Sequence, residues 1–257
     1  ISRVVIACED PNPEVAGSGI QKLKDAGIEV ELGLMEDQAR ESNRGFIKRH
    51  EQGMPWVTVK MAASLDGRTA MASGQSQWIT TPAARADVQR LRAAQCAIIT
   101  GIGTQKMDDP SLTVRITRDD VGVEDELRQP LRVVVDARLQ MSPEARMFQQ
   151  PGDTLVATLD GPEQRDRSAA LEAAGAEVAF LPAMGEHIDL HALLVELAGR
   201  GCNQVLVEAG AGLAGAFIAE GLLDELVCYW APKLFGNEAR PMFEVPIQTI
   251  DAHLALS

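Results

Sequence analysis

Gln204-Val205-Leu206-Val207-Glu208-Ala209-Gly210-Ala211-Gly212-Leu213-Ala214-Gly215 shows the architecture of the chain most plainly. An apolar run ending in one carboxylate passes straight into a G-x-G-x-x-G pattern, and the helix-like Ala216-Phe217-Ile218-Ala219-Glu220 follows. Strand, glycine turn and helix in immediate succession are the unit of an α/β sheet, and ligands settle where such strands end. Glycines at that turn let phosphate oxygens approach backbone N-H groups at the positive end of a helix dipole, which suits a dinucleotide. The plainer alternative is a small-residue turn that packs helix on sheet. A mononucleotide unit would also need an acidic residue ending a second strand about 20 residues later. None stands there, since Asp224 and Glu225 come early and precede a strand.

The same alternation runs through the chain. Strands are expected over residues 3–8, 28–32, 56–63, 96–100, 131–137, 154–159, 176–181, 204–209 and 225–231, with helices filling most of the intervals. Thr81-Pro82 marks a helix start, and Ala84, Val88 and Leu91 give that helix one apolar face. Asp189 is expected to cap a helix reaching Arg200, with Leu190, Leu193, Leu194 and Leu197 inward and Gly201 as the stop. Residues 19–26 and 36–50 read as two further helices. Apolar strands separated by helices imply a largely parallel sheet covered on both faces. Residues 1–53 hold too few elements for an independent core and read as the end of another domain, with Gly53-Met54-Pro55 as the linker.

At 257 residues, 46% hydrophobic and 24% charged, the chain has the composition of an ordinary globular protein. No apolar run approaches the roughly 18 residues that span a bilayer, and the first residues lack the basic and apolar regions of a signal peptide, so a cytoplasmic location is expected. Cys8, Cys96, Cys202 and Cys228 form no C-x-x-C pair, which argues against disulfides and thiolate metal sites. His187 and His191 are four apart, but Asp189 as a cap leaves His187 outside the helix, so no metal site is expected. The net charge of -13 argues against a nucleic-acid partner. Its distribution is uneven. From Pro55 to Arg115, Lys60, Arg68, Arg85, Arg90, Arg92, Lys106 and Arg115 face only Asp66, Asp87, Asp108 and Asp109, a net +3, whereas the remainder is net -16. A small anionic ligand is drawn to that island. Thr100-Gly101-Ile102-Gly103-Thr104 is a second glycine loop after a strand, and Trp78 can cover a ring or fill a core.

Lys60-Met61-Ala62-Ala63-Ser64-Leu65-Asp66-Gly67-Arg68-Thr69-Ala70, continued by Gly74-Gln75-Ser76-Gln77-Trp78, resembles the bifunctional riboflavin-biosynthesis deaminase/reductase family. So do Asp108-Asp109-Pro110-Ser111-Leu112-Thr113-Val114-Arg115, Val207-Glu208-Ala209-Gly210 and Ala231-Pro232-Lys233-Leu234-Phe235-Gly236, in the family's order. The resemblance implies a dihydrofolate reductase-like α/β domain over residues 54–257, preceded by the C-terminal remnant of a cytidine deaminase-like α/β domain over 1–53. It replaces the mononucleotide-unit reading and implies NADPH as cofactor, contacted by Ala62, Trp78, Thr104, Asp108, Ala137, Gly210, Ala211, Gly212, Leu213, Ala214, Gly215 and Ala216. It implies a phosphoribosyl-pyrimidine substrate held by Ser76, Arg92, Leu112, Arg115 and Glu208, with Lys60 near the sugar. The implied reaction converts a ribosylamino group to ribitylamino, hydride reaching C1′ of the sugar; Lys60 and Glu208 are the candidates for the acid that assists proton movement and its orienter. The family's His-Ala-Glu and paired-cysteine zinc motifs do not occur in this sequence, so zinc belongs only to the absent deaminase part. The resemblance further implies a homodimer through the reductase domain, and strand beyond Ser257 that would complete the sheet. Two other readings compete: an inactive folded fragment, and a dihydrofolate reductase-like enzyme acting on a pterin, which would not need a phosphate grip by Arg92 and Arg115.

Overall fold

The computed structural model describes residues 1–76, 79–120, 122 and 126–255. They form two compact units, Ile1–Trp56 with Leu194–Gln204, and Val57–Leu193 with Val205–Ser257.

In the smaller unit β1 (Arg3–Ile6) pairs in parallel with β2 (Glu29–Leu32), and α1 (Ser18–Asp25) lies between them in sequence. The single helix expected over 36–50 is two, α2 (Glu36–Ser42) and α3 (Arg44–Gln52). Asn43 breaks it: its φ is -115°, and its side-chain amide donates to the Ala39 carbonyl at 2.8 Å. A short amide that competes for the helix's own acceptors favours such a break. The first strand stops at Ile6, two residues before the expected end.

The larger unit is built on β3 (Trp56–Ser64), β4 (Arg68–Ala70), α4 (Pro82–Ala93), β5 (Ala97–Gly101), α5 (Ile102–Asp108), β6 (Leu131–Val135), β7 (Thr154–Leu159), α6 (Pro162–Ala173) and β8 (Ala176–Leu181). The hairpin β9 (Ala183–Met184) and β10 (His187–Ile188), α7 (Leu190–Gly199), β11 (Gln204–Val207), α8 (Ala211–Ala219), β12 (Glu225–Ala231) and β13 (Arg240–Pro241) follow, α7 from Leu194 onward being counted with the smaller unit. Seven strands make one sheet in the order β12-β3-β11-β5-β6-β7-β8. The pairs β12 with β3, β11 with β5, and β5 through β8 in succession are all parallel, as apolar strands alternating with helices require.

The local signals act as expected. Thr81 caps α4 through a hydrogen bond from the Ala84 N-H to its hydroxyl, with Pro82 in the first turn, and Asp189 caps α7 by accepting from Ala192 N-H at 3.0 Å. Val88 of α4 is buried, and Leu91 packs on Ile98, Leu112 and Leu206, pinning the helix over β5 and β11. Each such aliphatic side chain, fully buried, stabilises by about 1.5–3 kcal/mol. A second cluster, including Val134, Val156, Met147 and Leu171, seats α6 on β6 and β7.

The sequence pattern did not indicate the antiparallel pair β4 with β13, which brings Arg240 and Pro241 back beside Arg68 and Ala70. The Asp66-Gly67 turn between β3 and β4 is also a clamp. The Asp66 carboxylate accepts from the Ser64 hydroxyl at 2.6 Å and from the Phe235 and Gly236 N-H groups at 3.1 and 2.8 Å. The Ser64 hydrogen bond first, then those backbone donors, hold its pKa down at about 2. The stabilisation is therefore fully present above the unfolded carboxylate value of about 3.9 and is lost as pH falls from there through about 2. Hydrogen exchange at Phe235 and Gly236 should accelerate, beyond the intrinsic pH trend, as acidity rises through that window, and Asp66→Asn should accelerate it at neutral pH; unchanged protection would remove the clamp.

Candidate functional site

A cleft of about 820 Å³ opens in the larger unit where β3, β5 and β11 end, roofed by α4 and bordered by the start of α8. Glu208 follows the last residue of β11, and its N-H donates to Ile99 of β5 at 2.9 Å, so the ladder fixes its backbone. Lys60 alternates with Ala62 along β3 on the same sheet face. Arg92 ends the last turn of α4, and Leu91 packing holds that turn in place.

These three side chains meet. Arg92 Nε and Nη2 grip the two Glu208 oxygens at 2.6 and 3.0 Å, and Lys60 Nζ lies 3.5 Å from Oε2. Arg92 Nη1 donates to the Thr113 carbonyl at 3.2 Å, so its whole guanidinium fork is engaged inside the protein. The side chains of Lys60, Arg92 and Glu208 are 17%, 11% and 9% exposed. Burial alone would raise the Glu208 pKa, but the Arg92 and Lys60 charges outweigh it and hold the carboxyl below the usual range. The site thus holds a fixed carboxylate, an arginine with all three guanidinium nitrogens engaged, and an ammonium beside that carboxylate in the lining of the cleft.

Among the described residues the Arg115 guanidinium has no partner, although its backbone N-H donates to Gln89 Oε1 at 2.8 Å. It lines the cleft with Ser76 and Leu112. Leu112 is 4% exposed and holds φ at +48°, a left-handed conformation that costs a leucine on the order of 1 kcal/mol or more and clusters at ligand sites. Of the substrate contacts expected from sequence, Ser76, Arg92, Leu112, Arg115 and Glu208 all reach this cleft, but Arg92 is committed to Glu208 and Thr113.

The expected cofactor contacts divide. Ala62, Thr104, Asp108, Gly210, Ala211, Gly212 and Leu213 line the cleft; Ala137, Ala214, Gly215 and Ala216 do not, and Trp78 lies outside the described residues. Neither glycine stretch is an open loop. Helix α5 begins at Ile102 and α8 at Ala211, each directly after a strand residue or its glycine cap. The first bond inside α8 is Ala214 N-H to Gly210 O, which leaves the N-H groups of Ala211, Gly212 and Leu213 for a ligand. With Thr104 near Gly210, this donor set fits a dinucleotide's phosphates.

Gly215 has another purpose. A Cβ there would lie 2.1 Å from the Glu244 carbonyl oxygen and 2.8 Å from its carbon. The 240–246 segment rides on α8, and Glu244 N-H donates to Ala211 O at 3.1 Å. The last glycine of the pattern therefore admits a backbone strap, not a phosphate. Gly215→Ala should lower stability by about 1–3 kcal/mol, the range for overpacking, or lift the strap. Thermal unfolding and limited proteolysis read this, and a variant matching the parent in both would contradict the packing.

Sequence reasoning missed Tyr229 and Arg240, which also line the cleft. Tyr229 is the only tyrosine and pairs across strands with Ala62, a neighbour relation set by register and invisible along the chain. Arg240 arrives through the β4 and β13 pairing.

A family profile described as RibD C-terminal domain matches residues 55–256. The riboflavin biosynthesis protein RibD of Escherichia coli is 45% identical over 251 residues, covering 96% of this chain and 67% of that protein. The structure of Acinetobacter baumannii RibD superposes with a TM-score of 0.84 at 42% identity, over 99% of this chain and 67% of the other. The Thermotoga maritima diaminohydroxyphosphoribosylaminopyrimidine deaminase/5-amino-6-(5-phosphoribosylamino)uracil reductase gives a TM-score of 0.79 at 28% identity, over 99% and 66%. The chain spans about two thirds of the length of these relatives.

Proposed function

The chain belongs to the RibD C-terminal domain family, and from that premise we propose that it is the reductase of riboflavin biosynthesis, turning 5-amino-6-(5-phosphoribosylamino)uracil into its ribitylamino product with NADPH. The observation that carries this reading is the buried Lys60, Arg92 and Glu208 constellation at the strand ends of a cleft that also presents Arg115, whose guanidinium has no partner among the described residues.

Each residue has a part. Arg115 receives the substrate phosphate, for which a guanidinium fork is suited. Ser76 and the backbone at Leu112 complete that grip, while Arg92 acts through Glu208 and keeps it ionised. Glu208 orients the Lys60 ammonium, which holds a proton beside the sugar for the ring oxygen as the ring opens. When bound, the reduced nicotinamide supplies the hydride that C1′ accepts. Ala62, Thr104, Asp108 and the Gly210–Leu213 turn hold the dinucleotide; the exposed Glu244 carboxylate, 3.3 Å from a Cβ placed on Gly212, must swing aside for its phosphates.

Residues 1–53 belong, in this reading, to the end of a deaminase domain, and zinc-dependent deamination belongs to the longer protein. The state proposed in the cell is a cytoplasmic homodimer associating through the reductase domain. No helix among the described residues is long and apolar enough to cross a membrane. A pterin substrate would leave Arg115 unused. The test is loss of reduced nicotinamide absorbance with the phosphoribosylaminouracil, run against its dephosphorylated form and against NADH. Turnover that depends on both phosphate and NADPH supports the reading; binding without turnover marks an inactive fragment.

A further inference from the structure

Tyr229 stands apart from the groups already used. It lies on β12, in register with Ala62 of β3, so its side chain shares the sheet face of Ala62 and Lys60 and lines the same cleft. Its hydroxyl donates to Asp87 Oδ2 at 2.7 Å, and Asp87 lies on α4, the helix that also delivers Arg85, Gln89 and Arg92 to the cleft. Burial, the Asp87 hydrogen bond and the charges of Asp87 and Glu208 together push the phenol pKa up, so it stays neutral at any physiological pH.

A phenol whose one proton is committed outward can only accept. The other side chains on this part of the cleft leave little of that kind. Lys60, Arg85 and Arg92 are donors without acceptor capacity. Glu208 already accepts three bonds from the Arg92 and Lys60 cations, which orient it towards them, and Gln89 Oε1 accepts the Arg115 N-H. An amino-substituted uracil carries both N-H groups and carbonyls. The cations satisfy its carbonyls, but its N-H groups need an acceptor held against a flat apolar surface. Tyr229 offers both.

We propose that Tyr229, its hydroxyl proton pinned by Asp87, recognises the pyrimidine base of the substrate, the phenol oxygen accepting a base N-H while the ring walls the base subsite. This rests on the reductase reading above. Tyr229 would touch substrate, whereas Asp87 is a positioning residue that acts through the hydroxyl.

The experiment compares wild type, Tyr229→Phe, Asp87→Asn and the double variant in KM and kcat for the phosphoribosylaminouracil, and in calorimetric Kd for the ribitylamino product without cofactor. Loss of one neutral hydrogen bond predicts KM and Kd for Tyr229→Phe raised about five- to tenfold, with kcat changed less than about twofold. Asp87 is exposed, so Asp87→Asn should fold; it should raise both constants by a smaller factor, and the double variant should be no worse than Tyr229→Phe alone. Asp87→Glu, which keeps a carboxylate, should recover part of the Asp87→Asn loss. Unchanged KM and Kd in Tyr229→Phe, a fall in kcat at constant KM, or additive effects in the double variant would each overturn the assignment. Wild type inert towards the substrate would bring down the reductase reading itself, a result the variants cannot imitate.

Discussion

Glu208→Ala should slow reduction by about 10²- to 10⁴-fold, the range associated with removing one arm of proton transfer, and should also destabilise the protein. The two losses share a cause. In the parent, one carboxylate neutralises Arg92 and Lys60 at 2.6 and 3.5 Å in a nearly closed setting. Without it two cations face each other with no counter-charge, and breaking a buried pair by removing one partner typically costs about 3–5 kcal/mol. Glu208→Gln separates the effects: it retains the volume and some hydrogen bonding, so it should recover part of the stability while remaining nearly as slow. Initial rates and thermal unfolding on the same preparations check both. Alanine at Lys60 and Glu208 together, with turnover at the parent's level, would end the assignment of this pair to the chemistry.

Arg115→Ala should raise KM for the phosphorylated substrate by about 10- to 100-fold, since hydrogen bonds to charged groups contribute about 1.5–3 kcal/mol each. The same variant should leave the dephosphorylated substrate's already poor kcat/KM almost unmoved. That contrast separates phosphate recognition from general damage, and an equal loss on both substrates would refute it. Arg92→Ala should behave differently. Its guanidinium is spent on Glu208 and Thr113, so its removal should lower kcat and stability with either substrate.

What could be read in the sequence was what local physics determines. The caps at Thr81 and Asp189, the apolar face through Val88 and Leu91, and the parallel character of the strand runs all follow from residues within a turn or two of each other. What escaped was set at long range. The pairing of β4 with β13 joins residues about 170 positions apart, and the reason Gly215 must lack a side chain is the Glu244 backbone, about 30 positions on. Asn43 broke a helix that periodicity alone would have continued. The cleft residues Lys60, Glu208 and Arg115 were legible through the motifs that carry them, but the engagement of Arg92 by Glu208 and the presence of Tyr229 beside Ala62 depend on register between strands and on the docking of α4.

The most direct measurement is the fate of hydride itself: the chain is mixed with 5-amino-6-(5-phosphoribosylamino)uracil and NADPH carrying deuterium on the nicotinamide C4, and the product is located by mass spectrometry and NMR. A ribitylamino product with deuterium on C1′, formed by the parent and lost in Glu208→Ala, is the predicted result. Absence of the reduced product, or a product whose label lies elsewhere, would contradict the account.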